Sequence, residues 1–320
     1  MFPSERRSLA AVAVAWILIH GCERVPERVP EPVPEPVPAP VAAPVRMAAP
    51  AAAVVAVDDF GGAIAFRVPA SRVVSLNPVT TELIFALGAG DRLVGRTHWD
   101  LYPEAARLVP DVGNGMLPNV EAVLGQRPDL VILYGSESNR TAVAQLTRAG
   151  VRTLTFRTDH VGDLARITPV IAEALGVPGA GAVVVDSVLA SIAAVRALPA
   201  PRQVVRAYWH VWDAPLLTIG RESYLSELLT AAGAENVFGD LPAASPQVSL
   251  EEIARRDPDV ILVGPSNAAK LRAHPGWAAV RAVREGRILV VDTTLVGRPG
   301  VRMGEAARHL RRLLYPDGAQ

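Results

Sequence analysis

The sequence holds a single cysteine, Cys22, among 320 residues. A disulfide within the chain is therefore excluded, and so is a zinc site built from several cysteines. The six histidines are scattered and form no His-x-x-x-His pair, which argues against a zinc hydrolase or a zinc-scavenging receptor. The sequence also lacks a Gly-x-Ser-x-Gly elbow and a P-loop lysine motif, so nothing in it indicates an enzyme of either class.

Positive and negative charges are balanced in this sequence. Lysine and arginine together number 32, and aspartate and glutamate also number 32, so the formal net charge is zero. The arginines are dispersed and form no basic run beside aromatic residues, so we expect no binding to nucleic acid. Half of the residues are apolar and a fifth are charged, which is typical of a globular protein with a sizeable core. The length suffices for about two domains.

The N-terminal apolar run is too short to span a membrane. Arg6 and Arg7 precede about eleven apolar residues, whereas a spanning helix needs about 20. A charged head, a short apolar run and the small residue Gly21 are features of an export signal, so we predict a signal peptide at 1–22. Val-Pro-Glu and Val-Pro-Ala units recur from 23 to 53. Because each proline fixes its backbone in an extended form, this segment is predicted to be a semi-rigid tether.

Two motifs occur twice along the chain, in the same order. Glu-Leu-Ile-Phe-Ala-Leu-Gly-Ala at 82–89 resembles Glu-Leu-Leu-Thr-Ala-Ala-Gly-Ala at 227–234. Asn-Val-Glu-Ala-Val, followed by Pro-Asp-Leu-Val-Ile, matches Ser-Leu-Glu-Glu-Ile, followed by Pro-Asp-Val-Ile-Leu. The first motif predicts a helix ended by glycine, and the second a helix N-terminus, a turn and a buried strand. Two copies indicate two similar lobes rather than a solenoid.

A long helix is predicted between the copies, at 178–198. Its apolar residues recur at a spacing of three to four, Pro178 suits a helix start, and Pro199 stops it. The β-branched residues 183–185 could equally begin a strand. Elsewhere strands alternate with helices, which predicts an α/β fold with mainly parallel sheets. We therefore predict an N-terminal lobe at 54–160, a connecting segment with the linking helix at 161–200, and a C-terminal lobe at 201–320.

Candidate ligand-binding residues follow the predicted strands in both halves. In parallel α/β folds, ligands bind in the crevice beyond the carboxyl ends of the strands. The aromatic and polar residues that collect there are Trp99, Tyr102, Tyr134, Arg140, Arg157, His160, Trp209, His210 and Trp212. For any single member, loop packing or solvent exposure is the alternative interpretation. The recurrence of such a cluster in both halves favours a ligand cleft.

Four segments carry a resemblance to a known family. They are R-V-V-S-L-N-P-x-x-T-E, N-V-E-A-V followed by P-D-L-V-I-L, L-T-I-G-R-E-S, and P-Q-V-S-L-E-E-I followed by P-D-V-I-L. Through them, residues 71–314 resemble the substrate-binding proteins of ABC importers for cobalamin, haem and ferric siderophores, and the run at 218–249 is most similar to the cobalamin-binding members. The resemblance implies two α/β lobes with mainly parallel sheets, joined by one long helix, with the ligand cleft between them.

The resemblance also implies a function and a location. The protein would be an exported monomer, without a cofactor or metal of its own, that delivers a metal chelate to the permease dimer of an ABC importer. Cys22 resembles the lipidated cysteine of bacterial lipoproteins, which would anchor the chain to a membrane; a plain secretory signal with an incidental cysteine is the alternative. In this family one exposed glutamate on each lobe docks to the permease, and by position these are Glu121 and Glu251. Both could instead complement a helix N-terminus.

The ligand implied by the resemblance is cobalamin or a related corrinoid. Trp99, Tyr134, Trp209 and Trp212 could grip the flat face of a corrin or porphyrin. Four arginines, Arg96, Arg140, Arg157 and Arg298, would instead favour an anionic siderophore, so a ferric-siderophore or haem receptor is the alternative. Gly115 and Ser245 stand near positions where the family pattern leads us to expect large aromatic residues. A tethered chelate-modifying enzyme or a ligand sensor on the same scaffold is a further alternative.

Overall fold

The structure is a computed structural model, which describes residues 54–66 and 68–316. The predicted signal peptide, the tether and Cys22 lie outside the described residues. The two four-stranded sheets belong to one compact unit, Pro50–Gln320. The boundaries that we predict between the two lobes stay a prediction.

The N-terminal half is built around one parallel sheet. Its elements are β1 (Val54–Val57), β2 (Ala63–Phe66), β3 (Val73–Leu76), α1 (Pro78–Ala86), β4 (Leu93–Gly95), α2 (Val120–Gly125), β5 (Leu130–Tyr134), α3 (Arg140–Arg148), β6 (Arg152–Phe156) and α4 (Val161–Ala174). Strands β4, β3, β5 and β6 lie side by side in that order, all parallel. Every residue of β3 and the first four of β5 are buried, as expected for a parallel sheet covered on both faces.

The C-terminal half repeats this arrangement after the linking helix α5 (Pro178–Arg196). Its elements are β7 (Arg206–His210), β8 (Trp212–Asp213), β9 (Leu216–Leu217), α6 (Tyr224–Ala231), β10 (Glu235–Asn236), α7 (Leu250–Arg256), β11 (Val260–Val263), α8 (Pro265–Ala273), α9 (Arg281–Arg284), β12 (Ile288–Val290), α10 (Thr293–Val296) and α11 (Met303–Leu314). Strands β10, β7, β11 and β12 form the second parallel sheet. Strands β3 and β7, each the first along the chain in its four-stranded sheet, therefore hold the same place, which confirms two similar α/β lobes.

The repeated motifs produce equivalent helix ends in the two lobes. The side chain of Asn77 accepts a hydrogen bond from the backbone N–H of Val79 and caps α1, while Ser223 caps α6 in the same way. Each helix is followed by a glycine in the left-handed region, Gly88 with φ 74° and Gly233 with φ 82°. Such glycines end a helix at little conformational cost because they lack a Cβ.

Helix α5 is continuous, so the alternative of a strand at 183–185 is wrong. It packs against α4 and α11 and buries Val188, Ile192 and Val195. It is the one helix among the described residues that is long and apolar enough to cross a membrane by length and composition, with a mean hydropathy of 1.7. A Cβ on Gly304 would lie 1.8 Å from Oγ of Ser191, so only glycine permits this approach of α11 to α5.

The largest apolar cluster extends through both lobes. It includes Leu83 and Ile167 from the first lobe, Ile192 from the linking helix, and Leu229 and Leu310 from the second lobe. Smaller clusters complete the outer layers of each sheet. This shared core joins the two lobes through the linking helix.

Candidate functional site

A pocket of about 390 Å³ lies between the two lobes, beyond the carboxyl ends of their strands. Asn77, Trp99 and Thr158 line it from the first lobe, and Tyr224 and Arg298 line it from the second. The parallel order of both sheets places the loops after β3 and β7 at this edge, as the topology of such folds requires. The cleft that the fold implies is therefore present.

The first-lobe wall of the cleft is an apolar slot of about 220 Å³. Trp99, Met116 and Tyr134 line it, and Trp99 has 58% of its surface exposed. Gly115 forms the back of the slot, where a Cβ would lie 2.1 Å from the carbonyl oxygen of Leu76. No larger residue fits there, which explains why an aromatic side chain is missing at this position.

Tyr134 presents a neutral phenol to this part of the cleft. Its hydroxyl donates a hydrogen bond to Oδ1 of Asp159 at 2.7 Å. Burial, together with the hydrogen bond to Asp159 and the charge of that carboxylate, raises the pKa of Tyr134 to about 12. Because tyrosine ligates metals as the phenolate, Tyr134 would have to give up this hydrogen bond to Asp159 in order to bind a metal.

The second-lobe wall is a pocket of about 670 Å³ that contains two tryptophans in different roles. Trp209 is 5% exposed and belongs to the shared core, whereas Trp212 is 59% exposed. Trp212 lies on the short β8–β9 hairpin, and its indole N–H donates to the carbonyl oxygen of Ala214 at 3.1 Å. The N–H is thus satisfied within the protein, which leaves the face of the ring available for a ligand.

His210 lies behind Trp212 and is held by Asp213. Its side chain has no exposed surface, and Nε2 lies 2.9 Å from Oδ1 of Asp213. Nδ1 is buried and has no hydrogen-bond partner among the described residues. Burial lowers the pKa of His210 below its ordinary value, and the carboxylate of Asp213 opposes this only in part. The imidazole is therefore neutral at pH 7.

We expect His210 to make folding stability depend on pH. The imidazole of His210 binds a proton more tightly in the unfolded chain than in the folded protein. The contribution of His210 to the free energy of unfolding is therefore complete above the ordinary histidine pKa of about 6.5. It is lost as the pH falls from that value through the lowered pKa of the folded state, with a slope of at most about 1.4 kcal/mol per pH unit. Urea unfolding of His210→Gln between pH 5 and 8 should show a smaller slope below pH 6.5 than the wild type.

The control for this experiment is His98→Gln, because His98 is exposed. This variant should keep the wild-type slope. An equal slope in the wild type and in His210→Gln would contradict the prediction.

Arg140, Arg157 and His160 line a different, more polar pocket of about 460 Å³. The guanidinium of Arg140 stacks over the ring of Phe60 at 4.2 Å and pairs with Glu137 at 2.7 Å. Nε of Arg157 donates a hydrogen bond to the carbonyl oxygen of Gly135 at 3.4 Å. The sequence-predicted ligand residues thus fall into an aromatic group at the cleft and a charged group beside it.

Tyr102 and Arg298 take part in contacts between the lobes. Nη1 of Arg298 lies 3.5 Å from Oε1 of Glu82, and Nη2 donates to the carbonyl oxygen of Trp99. The guanidinium of Arg302 lies 3.9 Å from the ring centre of Tyr102. Arg298 lines the pocket between the lobes, and both of its terminal nitrogens already donate to the protein, to Glu82 and to Trp99.

Known proteins resemble this chain over most of its length. Residues 73–295 match the family described as periplasmic binding protein. The chain belongs to this family. The uncharacterized ABC transporter substrate-binding lipoprotein YvrC of Bacillus subtilis is 29% identical over 272 residues, which cover 82% of this chain and 86% of that protein. The vitamin B12-binding protein of Vibrio cholerae serotype O1 is 26% identical over 243 residues, covering 76% and 88%.

A solved structure supports the same assignment. The periplasmic heme-binding protein RhuT from Roseiflexus sp. RS-1, in apo form, superposes with a TM-score of 0.71 and 29% identity, covering 78% of this chain and 99% of that one. The predicted family and the two-lobed fold are confirmed. This periplasmic binding protein is an extracytoplasmic substrate-binding protein of the ABC-importer class.

Glu121 and Glu251 occupy equivalent places in the two lobes of the periplasmic binding protein. Each lies in the first turn of a helix, α2 or α7, two residues after the capping residue Asn119 or Ser249. Both side chains are exposed, and among the described residues neither forms an ion pair with an arginine or histidine. Their placement fits either helix capping or docking, so the docking role stays a prediction.

Sequence reasoning missed two residues that pair between the lobes, Glu82 and Arg302. Nη2 of Arg302 donates to Oε1 of Glu82 at 3.1 Å, from the second lobe to the first. A signal was present, because Glu82 stands in the repeated motif among apolar residues, and a buried carboxylate needs a partner. The identity of that partner could not be read from the sequence.

Proposed function

We propose that this periplasmic binding protein captures cobalamin or a related corrinoid and delivers it to the permease of an ABC importer. The observation that carries the proposal is one exposed tryptophan on each wall, Trp99 on the first lobe and Trp212 on the second. Two large aromatic faces at an interlobe cleft suit a bulky, flat ligand, because aromatic rings bury much apolar area at little entropic cost.

The side chains at the first-lobe wall favour a corrinoid over haem. Haem iron is usually held by His, Cys, Met or Tyr from the protein, whereas cobalamin carries its own lower axial ligand. Tyr134 donates its hydroxyl to Asp159 and remains neutral. Of the haem-ligating types in that wall, this leaves Met116. The name of the Vibrio cholerae relative, vitamin B12-binding protein, supports the corrinoid.

A haem or an anionic ferric siderophore is the second candidate. Arg140 and Arg157 line the polar pocket beside the cleft, where they could pair with carboxylates at the edge of a ligand. The solved structure of RhuT is named as a heme-binding protein, which supports this alternative. In that case Met116 would be the side chain that approaches the iron.

The remaining parts of the proposal concern the location and the assembly. We propose that the protein acts as a monomer, anchored by a lipid on Cys22 at the end of the proline-rich tether, with Glu121 and Glu251 facing the permease. The name of the Bacillus subtilis relative includes the word lipoprotein, which supports the anchor. Mass spectrometry of the mature chain, extracted from membranes, would detect a diacylglyceryl group on Cys22.

Quenching of tryptophan fluorescence by added ligand tests the proposal. Cyanocobalamin, hemin and ferric citrate, an anionic chelate with carboxylates, should be titrated separately into the full-length protein, and we expect cyanocobalamin to bind most tightly. Tighter binding of hemin, with a Soret band that changes in Met116→Leu, would favour the second candidate instead. Binding of none of the three probes would contradict both.

A further inference from the structure

The internal repeat places a glutamate at the same position in the two lobes, and each glutamate reaches across to the other lobe. Glu82 on α1 and Glu227 on α6 begin the duplicated eight-residue motif. Glu82 pairs with Arg298 and Arg302 in the second lobe. Glu227 accepts a hydrogen bond at 3.2 Å from the backbone N–H of Val161 in the first lobe.

The contact at Glu82 is the stronger of the two. The carboxylate is 2% exposed. Arg302 forms a bidentate pair with it: Nη2 donates to Oε1 at 3.1 Å, and Nε donates to Oε2 at 3.4 Å. Nη1 of Arg298 lies 3.5 Å from the same Oε1. Such paired, charge-assisted hydrogen bonds fix geometry as well as adding energy.

The contact at Glu227 is weaker because it is exposed to solvent. The side chain of Glu227 is 36% exposed, and Nδ1 of His160 lies 3.7 Å from its Oε1. Ion pairs of this kind are screened by water and contribute little. The duplicated glutamate has thus acquired two different environments, one buried between arginines and one at the surface.

The arginines bound to Glu82 also hold the first-lobe wall of the cleft. Nη2 of Arg298 donates to the carbonyl oxygen of Trp99, and the guanidinium of Arg302 stacks on Tyr102 at 3.9 Å. Between these aromatic residues lies Asp100, whose buried carboxylate accepts hydrogen bonds from Thr97 and Thr81. The loop that carries Trp99 is therefore fastened to the second lobe by Arg298 and Arg302, the two arginines that Glu82 binds.

We propose that Glu82 is a positioning residue for the ligand cleft. By holding Arg298 and Arg302 it fixes the separation of the lobes and the place of the Trp99 ring. The part that concerns the ligand depends on the function proposed above, whereas the part that concerns the lobes does not. Glu227 contributes a hydrogen bond but no equivalent constraint.

The lobe separation can be measured without a ligand. The full chain carrying Cys22→Ser is labelled with nitroxides at two introduced cysteines, Gln145→Cys on α3 and Ala269→Cys on α8, which are both exposed positions. Double electron–electron resonance then measures the distance between the labels on the two lobes. We expect Glu82→Gln, which has the same shape without the charge, to give a longer and broader distance distribution. Glu227→Gln is the matched control, because an amide oxygen still accepts from Val161, and it should leave the distribution unchanged.

The position of Trp99 has its own spectroscopic readout. With 5-fluorotryptophan incorporated, the ¹⁹F signal of Trp99, assigned by its loss in Trp99→Phe, should shift in Glu82→Gln. The signal of the buried Trp277 should not shift, which separates a change at the cleft from general destabilisation.

The Kd for cyanocobalamin should rise by about 5- to 150-fold in Glu82→Gln, the range of typical couplings between a conformational constraint and a site. A second variant, Arg302→Gln, should reproduce the changes in the interlobe distance, in the Trp99 signal and in the Kd. Because the two residues act through one ion pair, combining Glu82→Gln with Arg302→Gln should add little to these changes.

The outcomes separate the two proposals. An unchanged distance distribution in Glu82→Gln and in Arg302→Gln would overturn the inference. A longer distance with an unchanged Trp99 signal or an unchanged Kd would also overturn it, because Glu82 would then join the lobes without positioning the wall. If the wild type bound none of the three probes, the proposed function would fail, while the distance and ¹⁹F measurements would still decide the role of Glu82.

Discussion

Replacing both Glu121 and Glu251 by arginine should reduce uptake through the importer to the background of a strain without the receptor, while the Kd of the isolated protein for its ligand stays unchanged. Both carboxylates are exposed in the first turn of a helix and lie on different lobes, so together they offer a two-point contact. Opposite charges across an interface set its orientation, and like charges there cost several kcal/mol. Uptake of radiolabelled cobalamin by cells and a titration of the purified variant measure the two quantities.

The substitution also removes a favourable charge from two helix N-termini. This should lower the free energy of unfolding slightly without any loss of folding, which a urea titration would measure. Glu104→Arg is the matched control, because Glu104 is also exposed in the first turn of a short helix, and uptake should continue. Loss of ligand affinity in the double variant would mean that the two glutamates belong to the binding site instead.

Truncation of the two exposed tryptophans should have the largest effect on binding. Trp99→Ala and Trp212→Ala are each expected to raise the Kd by roughly 30-fold, since a buried aromatic anchor at a binding site contributes about 2 kcal/mol or more. Neither ring belongs to the core, with 58% and 59% of their surfaces exposed, so the free energy of unfolding should change little. Isothermal titration calorimetry with cyanocobalamin measures the Kd.

The neighbouring Trp209 provides the contrasting case. It is 5% exposed within the shared core, so Trp209→Ala should lower the free energy of unfolding by about 3–5 kcal/mol through the cavity that it leaves. Leu108→Ala, at an exposed residue away from the described cleft pockets, is the control for both measurements. Wild-type affinity in Trp99→Ala and Trp212→Ala would remove the main support for a flat ligand between the lobes.

Much of the architecture could be predicted because it depends on residues close together in the chain. Asn77, Asn119 and Ser249 cap the helices that follow them, and the same local chemistry makes caps recognisable in any sequence. The duplicated motifs indicated two lobes, and the sheets have matching strand orders. The predicted linking helix at 178–198 agrees with α5 to within two residues at its end.

The roles of individual site residues could not be predicted in the same way. Trp209 and Trp212 are three positions apart, yet one is in the core and the other faces the cleft, because β7 ends and a hairpin begins between them. Arg140 and Arg157 were grouped with the tryptophans by their position after strands. They line a separate pocket, since β6 lies at the edge of the sheet, beyond β5.

The amino-acid sequence by itself indicated the two α/β lobes and the helix between them, because repeated motifs, caps and hydrophobic spacing act over a few residues. The family was indicated separately, by the resemblance of four segments to known members. Only the tertiary structure decided which charged groups meet. Glu82 and Arg298 are 216 positions apart, and no local pattern links them. Their pairing arises when α5 and the shared core bring the lobes together, and burial of the Glu82 carboxylate then requires the arginines as partners.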